Sequence, residues 1–299
     1  MTFSYPRPHA DVWVPDGAGL DDALARTTDL GIVAHQDDLE FMALAPIGAC
    51  LADPDRWFTG VACTDGVGSV RTGRYADITD DEMAAVRRDE QRAAAEIGRY
   101  SAIFQLGHPS PSIRGGPGSA SGSASGTGGR AELVRELAAI VRATRPVNVY
   151  THNLADKHTT HLAAGLATVE ALRTLPLEER PWQVVGIEGW RNLDWLPDEE
   201  KVLLDVSAYG ELADRLTAVF VSQLEGGKRY DLAERGRRQA NATLFEPRAV
   251  EEAEEVNFAM DLTPLVRNDE LDPAAFISAA IRRFQSDAEA ALHSLRDQE

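Results

Sequence analysis

The chain has 299 residues, 43% of them hydrophobic, and its 30 basic and 48 acidic side chains give a formal net charge of −18. This length and apolar content are ample for a sizeable core, so we expect one domain over residues 1–299. The acidic balance argues against binding of nucleic acid or of an anionic membrane through charge.

Cysteine usage and the hydropathy of the termini indicate a cellular compartment. Cys50 and Cys63 both lie in apolar stretches, which predicts buried free thiols in a reducing environment and not a disulfide framework. No apolar segment follows a basic one at the N-terminus, and no run approaches about 18 apolar residues. We therefore expect a soluble, cytoplasmic protein.

From residue 19 to residue 174, segments predicted as helices alternate with apolar runs predicted as strands. In chain order these are helix 19–27, strand 30–34, helix 39–51, strand 57–64, helix 81–98, strand 102–106, helix 130–144, strand 147–151 and helix 161–174. Such alternation predicts an α/β fold, with a mainly parallel sheet, right-handed crossovers and flanking helices.

Beyond residue 174 the pattern is less regular. Residues 182–188 and 201–206 are predicted strands, 209–225, 228–243 and 273–295 are predicted helices, and the acidic stretch 249–270 is predicted to be a loop. Earlier in the chain, residues 115–129 consist almost entirely of glycine, serine and alanine. That composition is typical of a flexible loop.

Polar residues follow the first long apolar strand at the point where the next helix begins. Strand 30–34 runs directly into His35, Asp37 and Asp38. In an open α/β sheet, ligands bind beyond the carboxyl ends of the strands. A carboxylate there can simply cap the following helix, but capping accounts for one acid and not for two with a histidine. Imidazole and carboxylate are natural zinc ligands, and a second carboxylate can act as a base.

Three histidines form a second polar group, after the last strand of this series. His158 and His161 are three residues apart and share one side of the predicted helix, whereas His152 is expected to be structural. If the two strands are neighbours, His35, Asp38 and His161 surround one point. Three protein ligands with a position left open for water are the layout of a catalytic zinc site.

The predicted site has the parts that amide hydrolysis requires. Zinc acidifies a bound water, Asp37 is placed to take its proton, and a protonated His158 stabilises the oxyanion or assists the leaving amine. Imidazole and carboxylate also suit iron(II), cobalt or manganese. The sequence therefore predicts a divalent transition metal, with zinc as the default.

The order of these motifs resembles that of the LmbE-like, or PIG-L, family of N-deacetylases. His35-Gln36-Asp37-Asp38 is similar to the family's His-Pro-Asp-Asp motif, with Gln36 in the place of proline. Further matching features follow in order: Thr64-Asp65-Gly66, Arg87-x-x-Glu90 with Ile97-Gly98, His158-x-x-His161, Asp205-Val206-Ser207 and Ser222-Gln223. In the second histidine motif, Thr159 and Thr160 replace the common Pro-Asp.

The resemblance covers about residues 29–225 and leaves 228–299 as a helical C-terminal extension. It implies a Rossmann-like, three-layer α/β fold. It also implies a zinc-dependent hydrolase that removes N-acyl groups, usually from N-acetylglucosaminyl compounds.

By motif position, the resemblance also implies roles for individual residues. The implied metal ligands are His35, Asp38 and His161, with Asp37 as general base and His158 as the acid or charge-stabilising residue. Arg87 is implied as a substrate-site residue. Asp65 and Arg71 are further candidates because they follow the end of strand 57–64, although a solvated loop residue is the more ordinary interpretation of Arg71. Trp190 can form an apolar wall for a sugar face or pack beneath the sheet.

The predicted function is removal of an acyl group, usually acetyl, from the amide nitrogen of a small molecule such as an N-acetylglucosaminyl sugar. An amidase of a non-sugar metabolite or thiol conjugate, and a non-catalytic metal-dependent binding protein, remain alternatives. A nucleotide-binding protein is disfavoured because His-Gln-Asp-Asp, and not Gly-x-Gly-x-x-Gly, follows the first strand. The expected partner is a small N-acyl compound, and self-association of the chain stays open.

Overall fold

A computed structural model describes residues 9–115 and 129–296 of the chain. The flexible loop predicted over 115–129 therefore lies, apart from its two end residues, outside the described residues. Within the described ranges, no helix combines the length and the apolar character that a membrane crossing requires. Cys50 and Cys63 are both free and buried, as predicted.

An eight-stranded sheet runs through the described part of the molecule. Its strands are β1 (Asp11–Trp13), β2 (Asp29–Val33), β3 (Phe58–Thr64), β4 (Ala102–His108), β5 (Asn148–His152), β6 (Gln183–Ile187), β7 (Lys201–Asp205) and β8 (Val256–Asp261). Their spatial order is β1-β4-β3-β2-β5-β6-β8-β7. The strands that precede the two polar motifs, β2 and β5, are therefore direct neighbours.

The sheet is mixed in direction. β4, β3, β2, β5 and β6 pair in parallel, as the alternation of strands and helices predicts. However, β1 pairs antiparallel with β4, and β8 pairs antiparallel with both β6 and β7. The prediction of a mainly parallel sheet is therefore wrong. The apolar residues of β8 lie within the acidic stretch 249–270, where the charges predicted a loop.

Twelve α-helices lie in the described ranges. They are α1 (Leu20–Ala25), α2 (Asp38–Met42), α3 (Leu44–Ala52), α4 (Asp80–Ile97), α5 (Ser110–Arg114), α6 (Gly129–Thr144), α7 (Thr159–Arg173), α8 (Gly210–Ala218), α9 (Val221–Glu225), α10 (Tyr230–Thr243), α11 (Thr263–Arg267) and α12 (Pro273–Arg296). The helix predicted over 39–51 is divided at Ala43, and the one predicted over 209–225 is divided into α8 and α9. The region predicted as a loop thus contains α11 as well as β8.

The alternation of side chains along β2 divides them between two cores. Leu30 and Ile32 pack on one face with residues of α6 and α7. Val33 belongs to the core of the opposite face, with side chains from α2, α3 and α4. A Cβ on Gly31 would lie 2.6 Å from Leu39 Cδ2, so the close approach of α2 to the sheet requires glycine there. Helices therefore cover both faces, which gives three layers.

A buried carboxylate fixes the start of β2. Asp29 is 0% exposed and accepts hydrogen bonds from Arg56 Nη2 (3.0 Å), Asn148 Nδ2 (3.0 Å) and the Tyr150 hydroxyl (3.1 Å). Burial by itself raises the pKa of this carboxyl, but hydrogen bonds from Asn148 and Thr28 and the charge of Arg56 outweigh it, so the pKa is lowered. Asp29 therefore links β2 to β5 and to the segment before β3.

We expect Asp29→Ala to lower the free energy of unfolding at pH 7 by about 3 kcal/mol, because charge-assisted hydrogen bonds to a buried group are lost. Since the folded-state pKa lies below the unfolded-state value, this stabilisation is present above about pH 3.9 and is lost as pH falls through the folded-state pKa. Urea unfolding at pH 7 and in acid measures the free energy of unfolding of both proteins. The difference between wild type and variant should be smaller at low pH. Asp77→Ala removes an exposed acid and is the control. Equal losses in the two variants would contradict the role of Asp29.

Candidate metal centre

The polar groups that follow two neighbouring strands meet at one edge of the sheet. β2 pairs in parallel with β5, so the carboxyl ends of both strands point the same way. β2 leads through His35 and Asp37 into α2, and β5 leads into the loop before α7. His158 is the N-cap residue of α7, and His161 lies in its first turn. The tertiary structure thus brings both sequence motifs to one place, at the position where α/β sheets bind ligands.

The three predicted metal ligands lie within reach of one ion. His35 Nδ1 is 3.2 Å from Asp38 Oδ2, and His161 Nε2 is 3.4 Å from Asp38 Oδ1. Ring nitrogens of His35, His158 and His161 lie within 4.8 Å of one another, as do ligand atoms of Asp38, His152 and His161. The candidate cluster therefore contains two more histidines than the predicted trio.

A buried carboxylate, Asp156, orients His161. Its Oδ2 lies 3.2 Å from His161 Nδ1 and also accepts the Trp190 backbone N–H, while its Oδ1 accepts the His158 backbone N–H. His161 Nε2 is buried and has no hydrogen-bond partner in the described part of the chain. Metal-binding histidines are commonly held in this way, with one nitrogen on a carboxylate and the other towards the ion. The donor set therefore fits a divalent transition metal.

Asp156 is a candidate site residue that sequence reasoning missed. It lies in the loop between β5 and α7, and its side chain is 0% exposed. The available signal was an acidic residue close to a pair of histidines, since ligand histidines usually have a carboxylate or carbonyl partner. Its Oδ1 bond to the His158 amide also fixes the entry into α7.

We expect Asp156→Asn to weaken metal binding about 10- to 100-fold, because the amide nitrogen cannot accept a hydrogen bond from His161 Nδ1 while the retained oxygen still accepts the His158 amide. Competition against a zinc chelator measures the affinity. Lys157→Gln, a change at the exposed neighbouring residue, is the matched control. An unchanged affinity in Asp156→Asn would rule out the orienting role.

His152 links the ends of the two strands. Its Nε2 accepts the backbone N–H of Ala34 at 2.8 Å, and its ring stacks on His161 with centroids 3.9 Å apart. Burial and then the charge of His161 lower the pKa of His152 to about 4, so the ring is neutral at pH 7. Because the backbone N–H of Ala34, directly after β2, already occupies Nε2, this geometry favours the structural role predicted for His152.

Asp37 lies beside the cluster in a strained backbone conformation. Its φ is 91°, in the left-handed region that residues other than glycine rarely adopt. Its backbone N–H donates to Gln91 Oε1 (3.2 Å), and its Oδ2 accepts from Arg87 Nη2 (2.8 Å). Burial raises the pKa of Asp37 to about 6, against the effect of the Arg87 charge. The Asp37 side chain makes no capping hydrogen bond to α2, so capping does not account for it.

Arg87 is held in ion pairs behind Asp37. It is 1% exposed and donates to Asp37, to Glu90 Oε2 (3.1 Å) and to the backbone carbonyl of Gln36. Glu90 in turn accepts the backbone N–H and the hydroxyl of Ser222, each at 2.7 Å. The Arg87 guanidinium orients Asp37. Arg87 also borders the cleft over the cluster, so its predicted contact with substrate stays a prediction.

Two further polar side chains fix the turn between β2 and α2. Gln36, which stands where the family has proline, donates through Nε2 to the Thr64 carbonyl at the end of β3 (3.0 Å). Glu40 is buried and accepts from Gln91 Nε2 (2.8 Å) and the Tyr100 hydroxyl (2.7 Å). Burial raises the pKa of Glu40 to about 8. Gln91 also accepts the backbone N–H of Asp37, the strained residue before α2. Glu40 therefore holds the turn in place through Gln91.

A cleft of about 510 Å³ opens over the cluster. His158 lies on its wall, and Trp190 stacks on His158 with ring centroids 6.2 Å apart. Lys228 Nζ lies 4.8 Å from the centre of the Trp190 ring, and Tyr230 meets the same ring edge-on. Trp190 is 38% exposed, so it forms a cleft wall and does not pack beneath the sheet. A polar floor with an aromatic wall is typical of small-molecule sites.

His158 is uncharged in this arrangement. Burial and then the neighbouring charge of His161 lower the pKa of His158 to about 4, and its Nδ1 has no hydrogen-bond partner in the described part of the chain. The role predicted for a protonated His158 therefore requires that the ring gain a proton during the reaction.

The two other predicted substrate residues, Asp65 and Arg71, each adjoin a residue of the cleft lining, Gly66 and Val70. Asp65 is buried after β3, where its Oδ1 accepts the Val67 backbone N–H (3.2 Å). Arg71 donates to Asp80 Oδ1 (2.5 Å) at the start of α4. Neither is among the described residues that line the cleft. In the structure both serve to fix the loop that follows β3.

The fold and the cluster together define a mixed α/β protein with a candidate His/Asp metal site beyond the carboxyl ends of parallel strands. Residues 30–172 match the family model described as PIG-L, GlcNAc-PI de-N-acetylase. Over these residues the match confirms the resemblance to the PIG-L, or LmbE-like, family that the motifs predicted. No curated protein matches the chain at a significant level.

Solved structures share the fold at low sequence identity. N,N'-diacetylchitobiose deacetylase from Pyrococcus horikoshii is 18% identical, with a TM-score of 0.56 over 78% of this chain and 84% of its own. GalB, the 4-carboxy-2-hydroxymuconate hydratase from Pseudomonas putida, is 17% identical, with a TM-score of 0.57 over 79% and 95%. The conserved protein TT1542 from Thermus thermophilus is 18% identical, with a TM-score of 0.57 over 83% and 99%. A deacetylase and a hydratase share this fold, so the fold alone does not name the reaction.

Proposed function

We propose that the protein is a metal-dependent N-deacetylase, a hydrolase that removes an acetyl or similar acyl group from the amide nitrogen of a small molecule. The observation that carries this proposal is the grouping of the His35, Asp38 and His161 donors. Of these, His35 and Asp38 line one cleft together with the Asp37 carboxylate. The PIG-L match over residues 30–172 supports the same chemistry.

His35, Asp38 and His161 would hold the metal. Two features support this assignment: His161 Nε2 is buried without a hydrogen-bond partner among the described residues, and the Asp38 carboxylate lies between the two rings. A bound zinc, or another divalent transition metal, would polarise the amide carbonyl and make a water molecule more acidic. Zinc is the default because of the ligand types.

Asp37 would act as the base. Arg87 occupies its Oδ2, so Oδ1 is the oxygen that would take the proton of the attacking water. The ion pair holds the carboxylate in one orientation towards the cleft. His158, on the cleft wall, would donate a hydrogen bond to the developing oxyanion or a proton to the leaving amine.

The proposed substrate is an N-acetylglucosaminyl-type sugar or conjugate. A cleft of about 510 Å³ has room for a small molecule, and the exposed ring of Trp190 offers a flat apolar surface to a sugar face. An amidase of a non-sugar metabolite or of a thiol conjugate would use the same Asp37 and metal ligands. Only the residues of the cleft walls would determine whether a sugar or a non-sugar substrate is bound.

Elemental analysis and an amine-release assay on wild-type protein test the proposal together. We expect about one metal ion per chain and release of free amine from at least one N-acetylated compound, in a panel of N-acetylglucosamine, N,N'-diacetylchitobiose and N-acetyl amino acids. Release from the amino acids alone would favour the non-sugar amidase. Bound metal without any hydrolysis would favour a binding protein, and protein without metal, purified in the absence of chelators, would overturn the site.

A further inference from the structure

The C-terminal half of α12 is exposed, although Arg283 pairs with Glu200 and Phe284 borders a cavity that it shares with Asn192 and Pro197. Ala280 is the last buried residue of this helix, and every residue from 281 to 296 is exposed. At about 1.5 Å per residue, this segment extends over roughly 24 Å. An isolated helix of roughly 16 residues is marginal in water, because helices of that length gain most of their stability from packing. We therefore expect residues 281–296 to pack against a partner surface.

The exposed half of α12 carries an apolar stripe. It consists of Ile281, Phe284, Ala288, Leu292 and Leu295, and its four large side chains are 48%, 45%, 64% and 66% exposed. Successive members are three, four, four and three residues apart, so they share one face of the helix. The opposite face carries polar or small residues such as Ser286 and Ala290.

The apolar positions of the stripe are spaced symmetrically about Ala288. Phe284 and Leu292 lie four residues on either side of it, and Ile281 and Leu295 lie seven residues on either side. In an antiparallel pair with its two-fold axis at Ala288, Ile281 of one copy meets Leu295 of the other, and Phe284 meets Leu292. A two-fold contact requires this self-complementarity, whereas a different partner protein does not. We propose that this stripe binds a second copy of the chain in antiparallel orientation.

The area of the stripe indicates how tight the pair would be. Its large side chains expose on the order of 400 Å² per copy, which is the size of apolar patch that marks an interaction site. The pair would then bury about 800 Å² or somewhat more in total, at the low end of specific interfaces. The small Ala288 side chain at the axis lets the two helices approach closely. We therefore expect a reversible dimer with a micromolar dissociation constant.

Sedimentation of the full chain from low to high micromolar concentration tests the contact. Wild type should shift from monomer to dimer, and Leu292→Glu/Leu295→Glu should raise the dissociation constant about 100-fold or more. Ser286→Glu/Ala290→Glu adds the same two charges on the opposite face of the exposed segment and should leave dimerisation unchanged. A wild type that stays monomeric throughout, or a dimer that persists in Leu292→Glu/Leu295→Glu, would overturn the proposal.

Disulfide trapping tests the orientation. Ala288→Cys should form a disulfide-linked dimer under mild oxidation, because the two copies of this position meet at the axis. Leu295→Cys alone should not, because its two copies would lie roughly 21 Å apart in an antiparallel pair. Cys50 and Cys63 are buried and do not compete. Cross-linking through Leu295→Cys, or none through Ala288→Cys, would overturn the antiparallel contact.

Discussion

Replacement of His161 by alanine is expected to reduce metal affinity by more than about 100-fold and to abolish hydrolysis. His161 offers a buried nitrogen that has no hydrogen-bond partner in the described part of the chain, and Asp156 fixes its ring on the opposite side. Loss of an orienting partner alone typically costs about 10- to 100-fold in affinity, and loss of the ligand itself removes a bond to the ion. Elemental analysis of the purified variant beside wild type measures the effect.

His158→Ala separates the two possible ligand sets. His158 lies as close to His35 and His161 as a ligand would, but the proposed trio assigns it to the reaction and not to the ion. We expect His158→Ala to retain metal and lose activity, whereas His161→Ala loses both. His293→Ala, on the exposed part of α12, controls for the removal of a histidine as such. If metal is retained in His161→Ala but lost in His158→Ala, then His158 is the metal ligand and His161 acts in the reaction.

The second large effect is expected for Asp37→Asn, which should lower kcat/KM by about 10³-fold, within the range of roughly 10²- to 10⁴-fold for a general base. An amide cannot take the proton of water. Its oxygen can still accept the hydrogen bond from Arg87 Nη2, and Arg87 keeps its ion pair with Glu90. Amine release under saturating and limiting substrate measures the loss.

Metal content and the unfolding temperature of Asp37→Asn show whether a loss of activity comes from loss of the base or from loss of metal or of the fold. Asp37→Asn should contain as much metal as wild type, because Asp37 is not among the proposed ligands. Its unfolding temperature should change little, since the strained backbone at this position is held through the amide and not through the carboxylate. Full activity in Asp37→Asn would reject Asp37 as the base, and loss of metal would show that it belongs to the ligand set.

The motifs themselves were accessible from the sequence because they are local. Apolar runs followed by His35-Gln36-Asp37-Asp38 and by His158-x-x-His161 predicted two strands that end in polar groups, and β2 and β5 lie where these runs predicted them. The resemblance to the PIG-L family rested on the same ordered residues. The parallel central strands followed from the alternation of apolar runs with helices.

Features that join distant segments were decided only by the tertiary structure. β8 is apolar within an acidic stretch and forms a strand because β6 and β7 flank it, so a local pattern could not reveal it. The ion pairs of Arg87 with Asp37 and Glu90 depend on how α4 packs against the turn before α2, so the sequence did not reveal them. The buried bond of Asp156 to His161 likewise depends on how the loop after β5 folds back. Local hydrophobic order determined the strands and motifs, whereas long-range hydrogen bonds and ion pairs determined which side chains hold, orient or face the candidate site.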